Sequence, residues 1–141
     1  MSHLYLIAQI AGRSVAIDSD QVESVVDIGE VTAVPRASAH VRGLAALRSR
    51  VVTVVDTQSA LGMHGDSDAR RAVITRVDGH HYAMLVDALD DVAPFELLPL
   101  AGGVALDPAW GGAGRGVVER EGEPILAIDL ASLVPGHATI N

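Results

Sequence analysis

The same β pattern occurs twice in this chain, and that duplication constrains the fold more than any other feature. Arg42-Gly43 opens a strand pair that closes at Asp56, and Arg115-Gly116 opens another that closes at Asp129, each Gly lying 13 residues before its Asp. Inside the first lie Leu44-Ala45-Ala46-Leu47, a turn at Arg48-Ser49-Arg50 and Val51-Val52-Thr53-Val54-Val55. Inside the second lie Val117-Val118-Glu119-Arg120, a turn at Glu121-Gly122-Glu123 and Ile125-Leu126-Ala127-Ile128. An earlier pair matches as well. Residues 4–10, Gly12 and Val15-Ala16-Ile17-Asp18 are echoed by 72–77, Gly79 and Tyr82-Ala83-Met84-Leu85-Val86-Asp87. A repeated unit implies a repeated supersecondary structure. Two related β units in 141 residues therefore predict two small barrels packed together.

Local signals place the elements. Gly12 and Asp78-Gly79 sit between apolar runs, as tight hairpin turns require. Asp18 or Ser19 is expected to cap a short helix over 21–26, with Gln21 at capping-box spacing from Asp18. A strand is expected over 30–34, ended by Pro35, and hairpins over 43–48/50–55 and 116–120/124–128. Asp56 and Asp129 predict caps of further helical turns, the first ending at Gly62 and the last at Pro135-Gly136. Residues 63–71 read as a polar linker, and 94–114, with its prolines and glycines, as a long crossing loop. The strands are apolar on both faces, as in Leu4-Tyr5-Leu6-Ile7-Ala8, so their outer faces must be covered.

The totals narrow the chemistry. Without cysteine there are no disulfides, thiolate metal sites or Cys nucleophiles. A net charge of −8, no lysine and four scattered aromatics (Tyr5, Tyr82, Phe95, Trp110) argue against nucleic acid and anionic membranes. No run approaches the roughly 20 apolar residues of a membrane span, and the start lacks signal-peptide order, so a cytoplasmic protein is expected. The apolar surplus suggests an interface.

Catalytic motifs are missing: there is no G-x-S-x-G, no phosphate loop and no H-E-x-x-H. Gly111-Gly112-Ala113-Gly114-Arg115-Gly116 leads into a strand, so it reads as a flexible loop. Asp18, Asp56, Asp87 and Asp129 could be read as paired carboxylates, but each ends a strand and is better placed as an N-cap. His80 and His81 are adjacent on a strand and point to opposite faces, which disfavours chelation. His3, His40, His64 and His137 show no ligand spacing. A ligand-binding or catalytic barrel using His80-His81 and residues 111–116 is the alternative of another class. No catalytic residue, metal ligand or cofactor is expected.

The order Ile17-Asp18-(x)3-Val22, Pro35, Val41-(x)-Gly43-(x)3-Leu47-Arg48-(x)2-Val51-Val52-(x)-Val54-Val55-Asp56 resembles the CheW family of chemotaxis coupling proteins. The strand–turn–strand unit at 77–87 and the closing hairpin and helix at 116–134 extend the likeness over about 4–134. The resemblance implies a mostly β fold of two packed five-stranded SH3-like barrels with short helices. It implies one domain over 1–141 with subdomains near 15–70 and 71–128, and with the segments 1–14 and 129–141 exchanged between them. The implied job is non-enzymatic. Such an adaptor, monomeric when free, couples chemoreceptor signalling tips to the histidine kinase CheA, and is recruited to membrane-bound receptor arrays.

Carried over by position, the resemblance implies receptor contacts at Val22, Ser24, Val25, Leu47, Arg48 and Val86. The family's Asn-Leu-Arg-Gly turn reads Ala46-Leu47-Arg48-Ser49, and its Val-x-Glu-Ile segment reads Val22-Glu23-Ser24-Val25. These departures leave a second reading open: a divergent scaffold that binds the kinase regulatory domain in a non-motility pathway, with weak or altered receptor binding.

Overall fold

The computed structural model describes residues 2–36, 40–61, 70–99 and 114–134. Among these residues ten strands carry the fold: β1 (His3–Ile10), β2 (Arg13–Asp18), β3 (Ser24–Asp27), β4 (Val41–Leu47), β5 (Arg50–Val55), β6 (Arg71–Val77), β7 (His80–Val86), β8 (Ala88–Phe95), β9 (Gly114–Arg120) and β10 (Glu123–Ile128). The helical pieces among the described residues are one turn each: a 3₁₀ turn at Ser19–Gln21, α1 (Thr57–Ala60) and a 3₁₀ turn at Leu130–Leu133.

Two five-stranded sheets form, in the orders β8-β1-β2-β10-β9 and β3-β6-β7-β5-β4. They are built alike. Each holds an antiparallel hairpin, β1–β2 or β6–β7, whose second strand pairs in parallel with β10 or β5. The strand that follows each hairpin then leaves for the other sheet: β3 pairs with β6, and β8 pairs with β1. Each repeat thus gives its first hairpin to one sheet and its last three strands to the other.

This corrects the expected subdomains. The sheets do not divide at 70/71, because β6 and β7 lie between β3 and β5, and the exchange takes in whole hairpins rather than short terminal segments. Three local expectations also change. The helix expected over 21–26 is confined to 19–21, and Val25 and Val26 pair with Val73 and Ala72 as β-branched edge-strand residues. Its supposed capping-box Gln21 turns instead to Asp129 (2.5 Å) and accepts from Leu130 N (3.1 Å). The strand expected over 30–34 reduces to a single bridge, Thr32 to Leu44. The expected crossing loop begins inside β8, where Pro94 is tolerated because that strand is an edge. Residues 62–69, 100–113 and 135–141 lie outside the described residues, and with them most of the expected linker, the rest of that loop and the Pro135-Gly136 stop.

The repeated Gly–Asp spacing now has a cause. Gly43 and Gly116 have φ of 151° and 157°, and a Cβ on them would lie 2.3 Å from Thr32 O and 2.4 Å from Leu98 O. At each Gly another segment crosses the strand, bridging Leu44 to Thr32 or Val117 to Leu98. Three of the four aspartates cap as expected: Asp18 accepts from Asp20 N (2.9 Å), Asp56 from Ser59 N (3.1 Å) and Asp129 from Ala131 N (3.1 Å). Asp87 does not, because β8 rather than a helix follows it. Its carboxylate accepts from Ala11 N (2.6 Å) and Gln58 Nε2 (3.2 Å), tying the β1–β2 turn to α1.

Three cores result. Tyr5, Ile7, Ala16, Val118, Ile125 and Ala127 fill the interior of the first sheet. Ile28, Val52, Val54, Ala72, Ile74, Ala83 and Leu85 fill that of the second. Between the sheets lies the largest cluster, with Leu6, Ile10, Val15 and Ile17 from one side and Val55, Val73, Met84 and Val86 from the other. Strands apolar on both faces are thereby explained. One face lines its own barrel and the other lines the junction.

Candidate functional site

The edge strand β3 and the β4–β5 turn face each other across the mouth of the second sheet. Between them is a groove of about 350 Å³ lined by Glu23, Ser24, Val25, Val26, Leu47, Arg48, Ser49, Arg50, Val52 and Ile74. Val52 and Ile74, nearly fully buried, make its floor. Val25, 39% exposed, and half-buried Leu47 make apolar walls, and Arg48, Arg50 and Glu23 stand at the rim.

Local geometry fixes the rim. Arg48 takes a φ of 58°, a left-handed value that non-glycine residues seldom adopt. Ser49 does not share it, so in this Gly-less turn the left-handed conformation falls on Arg48. Arg48 is exposed and has no hydrogen-bond or ion-pair partner among the described residues. Arg50 is engaged: its Nη1 lies 3.4 Å from Glu23 Oε2 and 2.8 Å from His81 Nε2, which is itself 3.1 Å from Glu23 Oε2. The rim therefore holds one free cation and one tied one, facing a single carboxylate.

A second groove, of about 320 Å³, opens on the other side of the segment 22–24 and shares Glu23. Its other lining residues are Asp20, Gln21, Val22, Thr75, Arg76, Val77 and Ala131. Ile74 and Thr75 are consecutive on β6 and point to opposite faces, so the segment that carries Glu23 forms the ridge between the grooves.

Of the six expected contact residues, Ser24, Val25, Leu47 and Arg48 come together in the first groove. Val22 lines the second groove and also packs on the inter-sheet core. Val86 is 1% exposed inside that core, where no partner can touch it. Sequence reasoning missed Glu23, Arg50 and His81. Arg50 and His81 are 31 residues apart and meet only through the parallel pairing of β5 with β7. It also missed two exposed apolar residues, Leu4 on β1 and Val92 on β8 (49% and 57% exposed), because no strand was expected over 88–95.

One group among the described residues has metal-ligand geometry. His3 Nε2 lies 2.8 Å from Asp18 Oδ1 and 3.3 Å from Asp20 Oδ2. His3 was expected to stand apart, and the β1–β2 register brings it to Asp18. The group borders the second groove only through Asp20, and its contacts are those of a capped turn. No described helix is long and apolar enough to cross a membrane.

Known proteins are similar to this chain. The chain is 26% identical over 129 residues to the chemotaxis protein CheW of Thermotoga maritima, a match covering 89% of this chain and 83% of that one. The crystal structure of the scaffolding protein TtCheW from Thermoanaerobacter tengcongensis superposes with a TM-score of 0.82 at 21% identity, covering 96% of this chain and 94% of that one, which shows the shared fold. A family model for the CheW-like domain matches residues 4–137. With the duplicated sheets, the match along nearly the whole chain and the related scaffold in view, the protein belongs to the CheW-like domain family, a family of non-enzymatic chemotaxis scaffolds.

Proposed function

We propose that this protein couples the helical signalling tip of a chemoreceptor to a CheA-type histidine kinase, binding the tip at the two grooves and the kinase regulatory domain elsewhere. The observation that carries the reading is the convergence of Ser24, Val25, Leu47 and Arg48, from an edge strand and a distant turn, on one apolar groove with an unpaired cation at its rim. A groove of this kind suits an amphipathic helix, whose apolar stripe lies on the floor while a carboxylate meets the arginine. Val22 extends the surface over the ridge. Val86 supports it from the core without touching the partner.

On this reading the protein acts at membrane-bound receptor arrays through contact with receptors. Modest interfaces suffice there, because linked contacts raise effective concentration.

The test is a pair of titrations, one with a receptor cytoplasmic fragment containing the hairpin tip and one with a CheA regulatory domain. Binding of both is expected, and Arg48→Ala should weaken the tip about tenfold while leaving the kinase domain unchanged. Binding of the kinase domain without the tip would favour the divergent-scaffold reading. Binding of neither at high micromolar concentration would remove both.

A further inference from the structure

The second groove contains one side-chain hydroxyl that finds no partner among the described residues and is not sealed from water. Thr75 sits on β6 between Val73 and Val77, on the face that lines the inter-sheet core, and is 3% exposed. Its hydroxyl makes no hydrogen bond with any described residue, and its side chain lines the groove. Around it the walls are Val22, Val77 and Ala131, and the charged groups Asp20, Glu23 and Arg76 lie outward. A valine in its place would fill the same volume without a polar atom. From this we infer that Thr75 is a specificity-determining residue of the groove. It selects a partner helix that carries an uncharged hydrogen-bonding side chain (Ser, Thr, Asn or Gln) within its apolar stripe.

The inference rests on the proposed receptor reading and adds a selection rule to it. A wholly apolar stripe seated on this groove would bury the Thr75 hydroxyl without a partner, an arrangement folded proteins avoid. A charged residue would lose its hydration against Val22, Val77 and Ala131 with only one neutral hydroxyl in return. A neutral polar side chain satisfies the hydroxyl and is satisfied by it. The discrimination is of the kind in which a site built to hydrogen-bond a group rejects the analogue that lacks it. A helix is about 10 Å across. One laid along the ridge at Glu23 therefore presents an arginine-facing side to the first groove and this polar position to the second.

The experiment compares Thr75→Val and Thr75→Ser in the full chain, with the receptor tip fragment as probe and the kinase regulatory domain as control. Thr75→Val should weaken tip binding on the order of tenfold, leave kinase binding unchanged and leave the melting temperature equal or higher. Thr75→Ser should restore tip binding. In a scan of the tip, one Ser, Thr, Asn or Gln→Ala substitution should cost affinity against the wild type and nothing against Thr75→Val, the mark of a direct pair. Equal tip binding by wild type and Thr75→Val would overturn the inference and leave the adaptor reading standing. If the wild type bound the kinase domain but no tip, the receptor reading would fall and this one with it.

Discussion

At the scale of the residue, backbone geometry and burial decide what each side chain can do. Gly43 illustrates the first. With φ at 151° and Thr32 O 2.3 Å from where a Cβ would sit, Gly43→Ala should break the Thr32–Leu44 bridge and cost about 2 kcal/mol or more in urea unfolding. Gly12→Ala, with open space around it and only φ of 79° against it, should cost about 1 kcal/mol. Equal losses would show that strand crossing is not what requires the glycine. Burial decides Val86. Val86→Ala should lower stability by about 1–3 kcal/mol and leave tip and kinase affinities of the folded protein unchanged, the reverse of Arg48→Ala. Tyr5 links stability to pH. Burial first, then the Asp18 charge, pushes its phenol above the ordinary 10.0, partly offset by Arg115. The unfolded chain releases this proton first, so stability should fall as pH rises past about 10. Tyr5→Phe should flatten that part of a pH–stability profile, and an unchanged slope would assign the loss to other groups.

Elements depend on pairings that local sequence signals do not announce. Every hairpin turn with glycine was legible because the requirement for positive φ is local: Ala11-Gly12, Asp78-Gly79 and Glu121-Gly122 all take it at both positions. The segment 21–26 was misread because its cap was real and its strand partner was distant. Asp18 does cap a 3₁₀ turn, but the open edge of β6 then recruits Ser24–Asp27. Gln21 and Asp129 join the two capped turns across 108 residues. Asp129→Ala removes both that bond and the cap, and should cost about 1–2 kcal/mol by thermal unfolding. Gln21→Ala should recover about half of that effect, and no effect from either would make the joint ornamental.

At the scale of the whole molecule the two repeats are interlocked. Each sheet draws its first hairpin from one repeat and its remaining strands from the other, so neither repeat contains a complete barrel. Fragments 1–70 and 71–141 should each lack cooperative unfolding when made alone, as judged by circular dichroism, and should recover it when co-expressed. A folded fragment on its own would contradict the exchange. The same interlocking places Val22 and Thr75 at the junction and the first groove at the mouth of one barrel, so the sites owe their relative position to the crossing of β3.

The sequence by itself determined the duplication, the hairpins with their turns, the aspartate caps at Asp18, Asp56 and Asp129, and the family resemblance. These rest on neighbours within a few residues, where glycine conformation, capping chemistry and strand patterning act directly. Only the tertiary structure decided which sheet each strand joins, that Val86 is core, that Asp87 braces a turn, that Ser24 and Arg48 line one groove and that Arg50 meets His81. Those outcomes depend on hydrogen bonding and apolar burial between segments tens of residues apart. An apolar strand whose two faces are both covered carries no mark of which partner covers which face.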